Sequence, residues 1–560
     1  MKKIMSVLLC AVLVLSAMVF SASAAEEELK IAVVNDLHLD LDDATAERVV
    51  KRNNLSVEYA HAASSGQLPY ESVAIIRAFL RDMEKSDNSV IIMPGDLTTV
   101  GTAAEHKAFV ALIKEFEEKT GKSVFVIPGN HDLFNSSVEE FEELYQDFGY
   151  SEAIANDSLT ASYVADLGGD YRLLAIDSVT PGESVHGVDE NLINWVKEQC
   201  AVAASDGKKL ICMMHHNLTE HMPFVEIYYS TGVVCADSFE LADALADGGV
   251  KFIFTGHTHD HDIAQYTSPA GNILYDCVTS ALNAYPCAYR EVSFGENVKI
   301  STGYVTEVDT ELFPAGIHEA AMETARTNFP EYAKNSTYLG VEMLISSFIS
   351  PSSLNNFIKL EDEEFKAILM PVIERAAEVF AFPLYIRDET EAGKSFESIV
   401  VRLGSSLPDT EYKTFTELLV VVYQAHAEGD ERLPAYSDEI ILVQRCLAAA
   451  INFSLAELTS EEYARVLTFV TELLDIEISA EVLNLAGGAL EMFKGNEMLL
   501  AVAVTPVLSQ FTVDEAPADI NVSLPGYGKA AEAPTLLEKF VGFFRAVYEF
   551  FLTVFAFFVR

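Results

Sequence analysis

The amino-acid sequence predicts an α/β domain of layered strands and helices (α+β layered), followed by an all-α half. Three observations lead there. From Leu29 to about Val305, short apolar runs alternate with longer amphipathic stretches, the rhythm of strands laid between helices. Beyond roughly Thr310 apolar residues recur only at helical spacing. Of the 13 histidines only His318 and His426 lie past residue 300, so any histidine chemistry belongs to the first domain.

At the amino end Lys2 and Lys3 precede an apolar run from Ile4 to Phe20 and the small residues Ala22-Ser23-Ala24. That is the layout of a secretory signal over residues 1–24, cleaved after Ala24, and it sets the expectation of an exported or cell-envelope protein. The strand-like runs are Leu29 to Val34, Val90 to Met93, Val124 to Ile127, Tyr171 to Ile176, Lys209 to Met214 and Val250 to Phe254. Between them Phe109, Leu112, Ile113 and Phe116 repeat at helical spacing, as do Leu192, Trp195 and Val196. This first domain is placed at 25–308.

A helical domain is expected over 309–514. Phe415, Leu418, Leu419 and Val422 share one helical face, as do Tyr463, Val466, Leu467 and Val470, the latter opened by a Thr459/Glu462 capping box. Residues 515–534, rich in Pro, Ala and Gly, read as a linker. Residues 535–560 read as an apolar tail helix whose polar or small residues, among them Glu538, Gly542, Arg545, Glu549 and Thr553, form one narrow stripe. A charge pair at mid-depth is costly inside a bilayer, so the tail suits a membrane interface, a partner or its own helical domain.

The chain of 560 residues sets 37 basic against 85 acidic side chains, a formal charge of −48. That balance argues against nucleic-acid backbones and anionic lipid surfaces as general partners. Cys200, Cys212, Cys235, Cys277, Cys287 and Cys446 follow the signal without a CxxC pair, which disfavours a cysteine zinc site. Cys277 and Cys287 are near enough in sequence to be bridged, but a domain of this size needs no staple, and all six read as core residues.

Chemistry-bearing residues stand at the ends of the strand-like runs: Asp36 and His38, Gly95-Asp96, Gly129-Asn130-His131-Asp132, His215-His216, and Gly256-His257-Thr258-His259. Ligands collect beyond the carboxyl ends of strands in α/β sheets, so these five segments converge. Imidazole nitrogens with carboxylate oxygens favour manganese, iron or zinc over calcium. Among Asp36, His38, Asp96, Asn130, His215, His257 and His259 only the two aspartates are anionic, so a pair of divalent cations leaves the pocket net positive and fit for an anionic guest.

In that order the five segments resemble the calcineurin-like metallophosphoesterase superfamily over about residues 29–305. The resemblance implies a β-sandwich flanked by helices, two divalent metal ions (Mn, Fe or Zn), and hydrolysis of small phosphate esters. It further implies one metal held by Asp36, His38, Asp96 and His259, a second by Asp96, Asn130, His215 and His257 with Asp96 bridging, and His131 as the catalytic residue beside the substrate. Strand alternation and the family pattern put His216 behind His215, supporting a ligand or packed, Asp260 and Asp262 read as a solvated acidic loop, and Asp132 as a cap or a support for His131. His61, His106, His186 and His221 carry no motif.

The Gly95-Asp96-Leu97-Thr98 stretch lacks the Asp-Arg-Gly continuation of the superfamily's protein phosphatases, and Asp132 replaces the glutamate usual in nucleotidases. The pattern looks more like the branch with cyclic-nucleotide phosphodiesterases and acid-sphingomyelinase-like enzymes, which favours diesters over monoesters. The alternatives are a phosphomonoesterase, or a cell-surface attachment protein with a silent phosphoesterase domain. A nuclease is disfavoured by the acidic surface.

Overall fold

A computed structural model describes residues 28–41, 66–183, 185–221, 235, 238–313, 319–348, 363–385, 394–402, 406–429, 433, 437–455, 458–459, 461–462, 465–466 and 517–527. The signal, the tail and most of the Tyr463–Val470 face lie outside them, as do His61 and His318. In chain order the elements are β1 (Leu29–Val33), α1 (Ser72–Lys85), β2 (Val90–Met93), α2 (Ala103–Thr120), β3 (Ser123–Val126), α3 (Val138–Leu144), β4 (Ala153–Asn156), β5 (Tyr163–Gly168) and β6 (Tyr171–Ile176). Then come α4 (Glu190–Ser205), β7 (Lys209–Met214), α5 (Ser238–Asp247), β8 (Phe252–Thr255), β9 (Ile263–Thr267), β10 (Ile273–Val278), β11 (Ala288–Phe294) and β12 (Asn297–Tyr304). The helices α6 (Glu319–Thr327), α7 (Phe329–Phe348), α8 (Glu363–Phe380), α9 (Phe396–Arg402), α10 (Phe415–Glu428) and α11 (Asp438–Leu455) precede β13 (Asn521–Pro525).

Two mixed sheets face each other. One runs β13-β12-β11-β1-β2-β3 and the other β4-β5-β6-β7-β8-β10-β9 among the described residues. β1, β2 and β3 are parallel, as are β6, β7, β8 and β10, and the flanking strands are antiparallel. Strand alternation sorts the apolar runs onto two faces. Ile31, Val33, Val90 and Ile92 turn inward against Leu173, Ile211, Phe252 and Phe254 of the second sheet. Ala32, Val34, Ile91 and Met93 turn outward beneath α1 and α2, alongside Phe79, Phe109 and Ile113. Burial on both faces is why these strands read as unbroken apolar runs. The second sheet is covered on its outer face by α4 and α5. Helix α2 has clear limits: Thr102 and Glu105 form a reciprocal capping box, and left-handed Gly121 ends the helix.

The layered sandwich and the helical region agree with the expected fold class, but two boundaries do not. The first domain does not stop at 308: Phe313, Ala325, Phe329, Tyr332 and Ala333 join the core under α1. Thr337 of α7 donates to the Gly66 carbonyl at 2.8 Å. The stretch read as a linker over 515–534 contains β13, which pairs antiparallel with β12 from Asn521–Ser301 to Pro525–Asn297. The linker reading followed composition, whereas Val522 and Leu524 alternate inward and Leu524 is buried in the inter-sheet core. Pro525 is tolerated because it ends an edge strand. Between 319 and 455 the named elements are all helices, as expected, among the described residues. This helical region has its own core, which joins Val379, Phe396, Phe415, Leu418 and Cys446. The Thr459/Glu462 capping box is present, with Glu462 N donating to Thr459 Oγ1 at 3.3 Å. All six cysteines are buried, as expected of core residues.

Candidate metal centre

The ends of β1, β2 and β3 in one sheet and of β7 and β8 in the other open onto the same rim of the sandwich. Short backbone bonds tie these ends together: Asp36 N to Gly95 O at 3.2 Å, His38 N to Asp96 O at 2.9 Å, and Gly256 N to His215 O at 2.9 Å. The loops approach so closely that a Cβ on Gly129 would stand 2.2 Å from Asp96 Oδ1, and one on Gly256 2.5 Å from Asp36 Oδ2. Glycine is required at both contacts.

Left-handed backbone is concentrated here. Asp36 (φ 51°), His38 (42°), Asp96 (49°), His257 (71°) and His259 (63°) are five of the six non-glycine residues with positive φ among the described residues. Each such conformation costs on the order of 1 kcal/mol or more and persists where the surroundings over-determine it, typically at functional sites.

The side chains converge as donors to a cation. Asp96 Oδ2 lies 3.7 Å from His38 Nε2 and 3.4 Å from His215 Nε2, and Asp36 Oδ1 lies 3.8 Å from His38 Nε2 and 3.5 Å from His259 Nε2. Asn130 Oδ1 meets His215 Nε2 at 3.0 Å. The ring of His257 stands 5.1 Å from that of His215, and its backbone N–H donates to Asp36 Oδ2 at 3.0 Å. Four triads of potential donors result: Asp36/His38/His259, Asp36/Asp96/His215, His38/Asp96/His131 and His215/His216/His257.

Whether these residues fit a metal pair is decided by their unsatisfied atoms. Asp36 Oδ1, both ring nitrogens of His38 and Nε2 of His216 are buried without a hydrogen bond. Each costs roughly 1–3 kcal/mol if left so. The 3.4–3.8 Å separations between facing donors exceed hydrogen-bond length. They match two ligand atoms each about 2.1 Å from a shared ion. The residues fit.

The charge state agrees. Burial works to raise the Asp36 carboxyl, yet the facing imidazoles, His259 foremost, hold it at about 2. Asp96 is likewise held well below the usual carboxylate range against its burial, chiefly by His215. Burial brings His38 and His257 down to about 3, so both rings are neutral, the form that ligates. Burial also opposes a charge on His215, but Asp96 outweighs it and carries that imidazole up to about 9. The carboxylates thus call for positive charge in the pocket.

His131 stands at the margin, its ring 4.8 Å from that of His38. Its backbone N–H donates to Asp96 Oδ1 at 2.9 Å, and its Nδ1 meets Thr99 O at 2.7 Å. A carbonyl only accepts, so Nδ1 carries the proton and Nε2 is left for a guest.

All eight residues picked out by sequence come together on this rim. Three side readings change. His216 does not turn away from His215, because β7 ends at Met214 and strand alternation no longer applies. Its ring is 4.9 Å from that of His215 and 4.4 Å from that of His257, with Nδ1 held by Ser178 Oγ at 2.8 Å. Asp260 and Asp262 are not a solvated loop: Asp260 is buried, and Asp262 pairs with His221 at 2.5 Å. Asp132 does not touch the His131 ring. Its carboxylate accepts from Leu97 N (3.1 Å), Thr98 N (2.9 Å), Thr98 Oγ1 (2.8 Å) and Gly129 N (3.0 Å), fastening the Asp96 loop to the Asn130 loop.

Sequence reasoning missed Asn35, whose amide donates to Thr279 O at 2.8 Å and to the Asp36 carboxylate, fixing that ligand. It also missed His186, stacked on His216 with ring centroids 4.6 Å apart. Neither carries a local signal beyond its type.

The calcineurin-like phosphoesterase family model matches residues 29–261. Residues 29–261 belong to that family. Among similar proteins, a probable glycerophosphodiester phosphodiesterase of Arcobacter nitrofigilis is 29% identical over 167 residues, 29% of this chain and 56% of the relative's own length. A probable cyclic nucleotide phosphodiesterase of Rhodococcus erythropolis is 24% identical over 46% of this chain and 79% of its own. A solved dimetal phosphatase from Danio rerio aligns at 10% identity and a TM-score of 0.35, covering 50% of this chain and 98% of that one. The five motif segments of this calcineurin-like domain all lie within the matched residues.

Proposed function

We propose that the protein is an exported, dinuclear-metal-dependent hydrolase of phosphoric esters that acts on phosphodiesters. The observation carrying this reading is Asp96 Oδ2, which faces His38 and His215 at 3.7 and 3.4 Å, while Asp36 Oδ1 faces His259 at 3.5 Å. One carboxylate between two imidazole clusters is the arrangement that holds two cations at once. Asp36, His38, Asp96 and His259 would hold one, and Asp96, Asn130, His215 and His257 the other. Two divalent cations supply Lewis acidity, an acidified water and neutralisation of charge on the transferring phosphorus. The relatives named as phosphodiesterases support the diester reading.

The chain's own residues do the rest. Asn35 and the His257 N–H orient Asp36 so that one oxygen faces the pocket. The Thr99 carbonyl keeps the His131 proton on Nδ1, so a neutral ring presents Nε2 as an acceptor and a protonated ring presents it as a donor to a leaving oxygen. Phe134, exposed and tilted against His131 at 4.6 Å, covers one side of that ring.

Protein loaded with manganese, iron or zinc should cleave bis(p-nitrophenyl) phosphate faster than p-nitrophenyl phosphate. Asp96→Asn should cost more than the roughly 10–100-fold expected for losing an outer partner of a ligand. A preference for the monoester would select the phosphomonoesterase reading. No turnover with any of the metals would leave a binding role. Export predicts a mature protein beginning at Ala25, and intact Lys2–Ala24 on the secreted protein would overturn it.

A further inference from the structure

His257 and His259 stand on the loop between β8 and β9, and the far end of that loop is held by the carboxyl-terminal half of the chain. His261 N donates to His426 O, in the last turn of α10, at 3.3 Å. Gly429, one residue past that helix, takes φ 72° and ψ 164°, a conformation open essentially only to glycine. A Cβ there would stand 2.8 Å from His261 O and 3.0 Å from its ring Cδ2, so the helix end lies directly against the loop.

Ahead of β13, Asp519 closes the other side. Its Oδ1 accepts from Ile263 N at 2.9 Å, and its carbonyl accepts from Arg290 Nη1 at 2.6 Å while Nη2 of the same guanidinium donates to Asp262 O at 3.1 Å. The His261 ring is keyed as well. A backbone N–H only donates, so Nδ1 accepts from Ser280 N at 3.3 Å, and the proton on Nε2 goes to Thr302 Oγ1 at 2.8 Å. His261 is therefore buried and fixed in both ring and backbone, two residues from a ligand whose own backbone is left-handed. The side chain of that ligand, His259, is 21% exposed, against 1% for His38 and 0% for His215, so the loop rather than side-chain packing sets where it points.

We propose that the carboxyl-terminal half is a positioning element for the metal centre, with Gly429 and Asp519 holding His261 and Ile263 so that His259 Nε2 is set opposite Asp36. The proposal rests on the dinuclear reading and makes it selective between the two sites. The site of Asp36, His38, Asp96 and His259 depends on contacts from beyond residue 400. In the other site His257 is fastened from the first domain, by its N–H to Asp36 Oδ2 at 3.0 Å and by Gly256 N to His215 O at 2.9 Å.

The test is a cobalt(II) titration of the metal-free full chain, read by visible absorption and by metal counts per chain. Wild type should take two ions, and His259→Ala marks which absorption band belongs to the His259 site. Gly429→Ala should hold that ion about tenfold more weakly, the scale of losing an outer support of a ligand, and keep the other unchanged. Asp519→Ala, which leaves Ile263 N without its acceptor, should act in the same direction, and Asp519→Asn, whose amide oxygen still accepts, should recover wild-type affinity. Unchanged affinity in either alanine variant overturns the positioning role, as does an asparagine variant no better than the alanine. Parallel weakening of both sites with a lowered urea midpoint also overturns it, because that marks support of the fold alone. A wild type that takes fewer than two ions refutes the dinuclear reading itself, and the positioning role with it.

Discussion

The residues expected to hold the metals were legible because each stands in a short contiguous motif beyond a strand, and strand ends are where side chains meet. What holds them was not legible. Asp132 looked like a cap, yet its two oxygens take four donors from Leu97, Thr98 and Gly129, linking segments more than thirty positions apart. Asp132→Ala leaves three buried N–H groups and a hydroxyl without their acceptor, so a loss of at least about 3 kcal/mol is expected. Asp132→Asn keeps one acceptor oxygen and should lose less. Urea unfolding together with the metal content of both variants checks this, and equal stability of the alanine variant and wild type would refute the clamp. His221 supplies the pH counterpart. Its burial opposes charge, but Asp276 at 3.1 Å and Asp262 at 2.5 Å overcome that and carry it up to about 10. A pKa raised on folding stabilises the native state fully below the ordinary histidine value of about 6.5, and that contribution fades as pH climbs toward 10. Wild type should therefore lose stability between pH 7 and 10 relative to His221→Gln. Parallel denaturation curves for the two across that range would contradict the pairing.

At the scale of elements, sequence and structure agree where one face of the signal dominates. Tyr171–Ile176 and Lys209–Met214 are strands with the expected limits, and the Phe415 face is helix α10. Two strands that were not found, β9 and β12, mix polar and apolar residues because alternate positions are exposed or half-exposed, whereas β11 is hidden by the buried Arg290 in its middle. β12 alternates Lys299 and Ser301 with Val298 and Ile300. β13 was hidden further by the proline, alanine and glycine around it, which a composition argument reads as a linker. Its role is nonetheless specific. Leu524 enters the core shared by the two sheets, and Asp519, just before the strand, accepts from Ile263 N at 2.9 Å while its carbonyl accepts from the buried Arg290. Leu524→Asp puts a carboxylate into that core and should destabilise by about 3 kcal/mol or more, whereas Ser523→Asp on the outer face should fall within about 0.5 kcal/mol of wild type. Thermal melts of the pair decide whether the segment is part of the sheet. Equal melting of both variants would restore the linker.

Over the whole molecule, two fields of opposite sign act on an anionic guest. The whole chain carries a formal −48, while a metal-loaded pocket with only Asp36 and Asp96 as anionic ligands is net positive. Which one matters depends on distance. At low salt, with a screening length of about 30 Å near 0.01 M, an approaching diester feels the summed negative surface before it reaches the pocket. Near 0.15 M the length falls to about 8 Å and the distant charges drop out, whereas the cations act at contact and are barely screened. Salt should therefore raise kcat/KM for bis(p-nitrophenyl) phosphate, about two- to fivefold between those conditions, and leave kcat nearly constant, since the bound complex is governed by contact interactions. Positively charged esters such as a choline-bearing diester should respond less or in the opposite sense, because their cationic end is drawn to the same surface. Initial rates for both substrates across the salt series separate the long-range field from the pocket. A fall in kcat/KM with salt for the anionic diester would mean that the pocket's charge reaches beyond the rim and that the acidic surface lies too far from the entrance to matter.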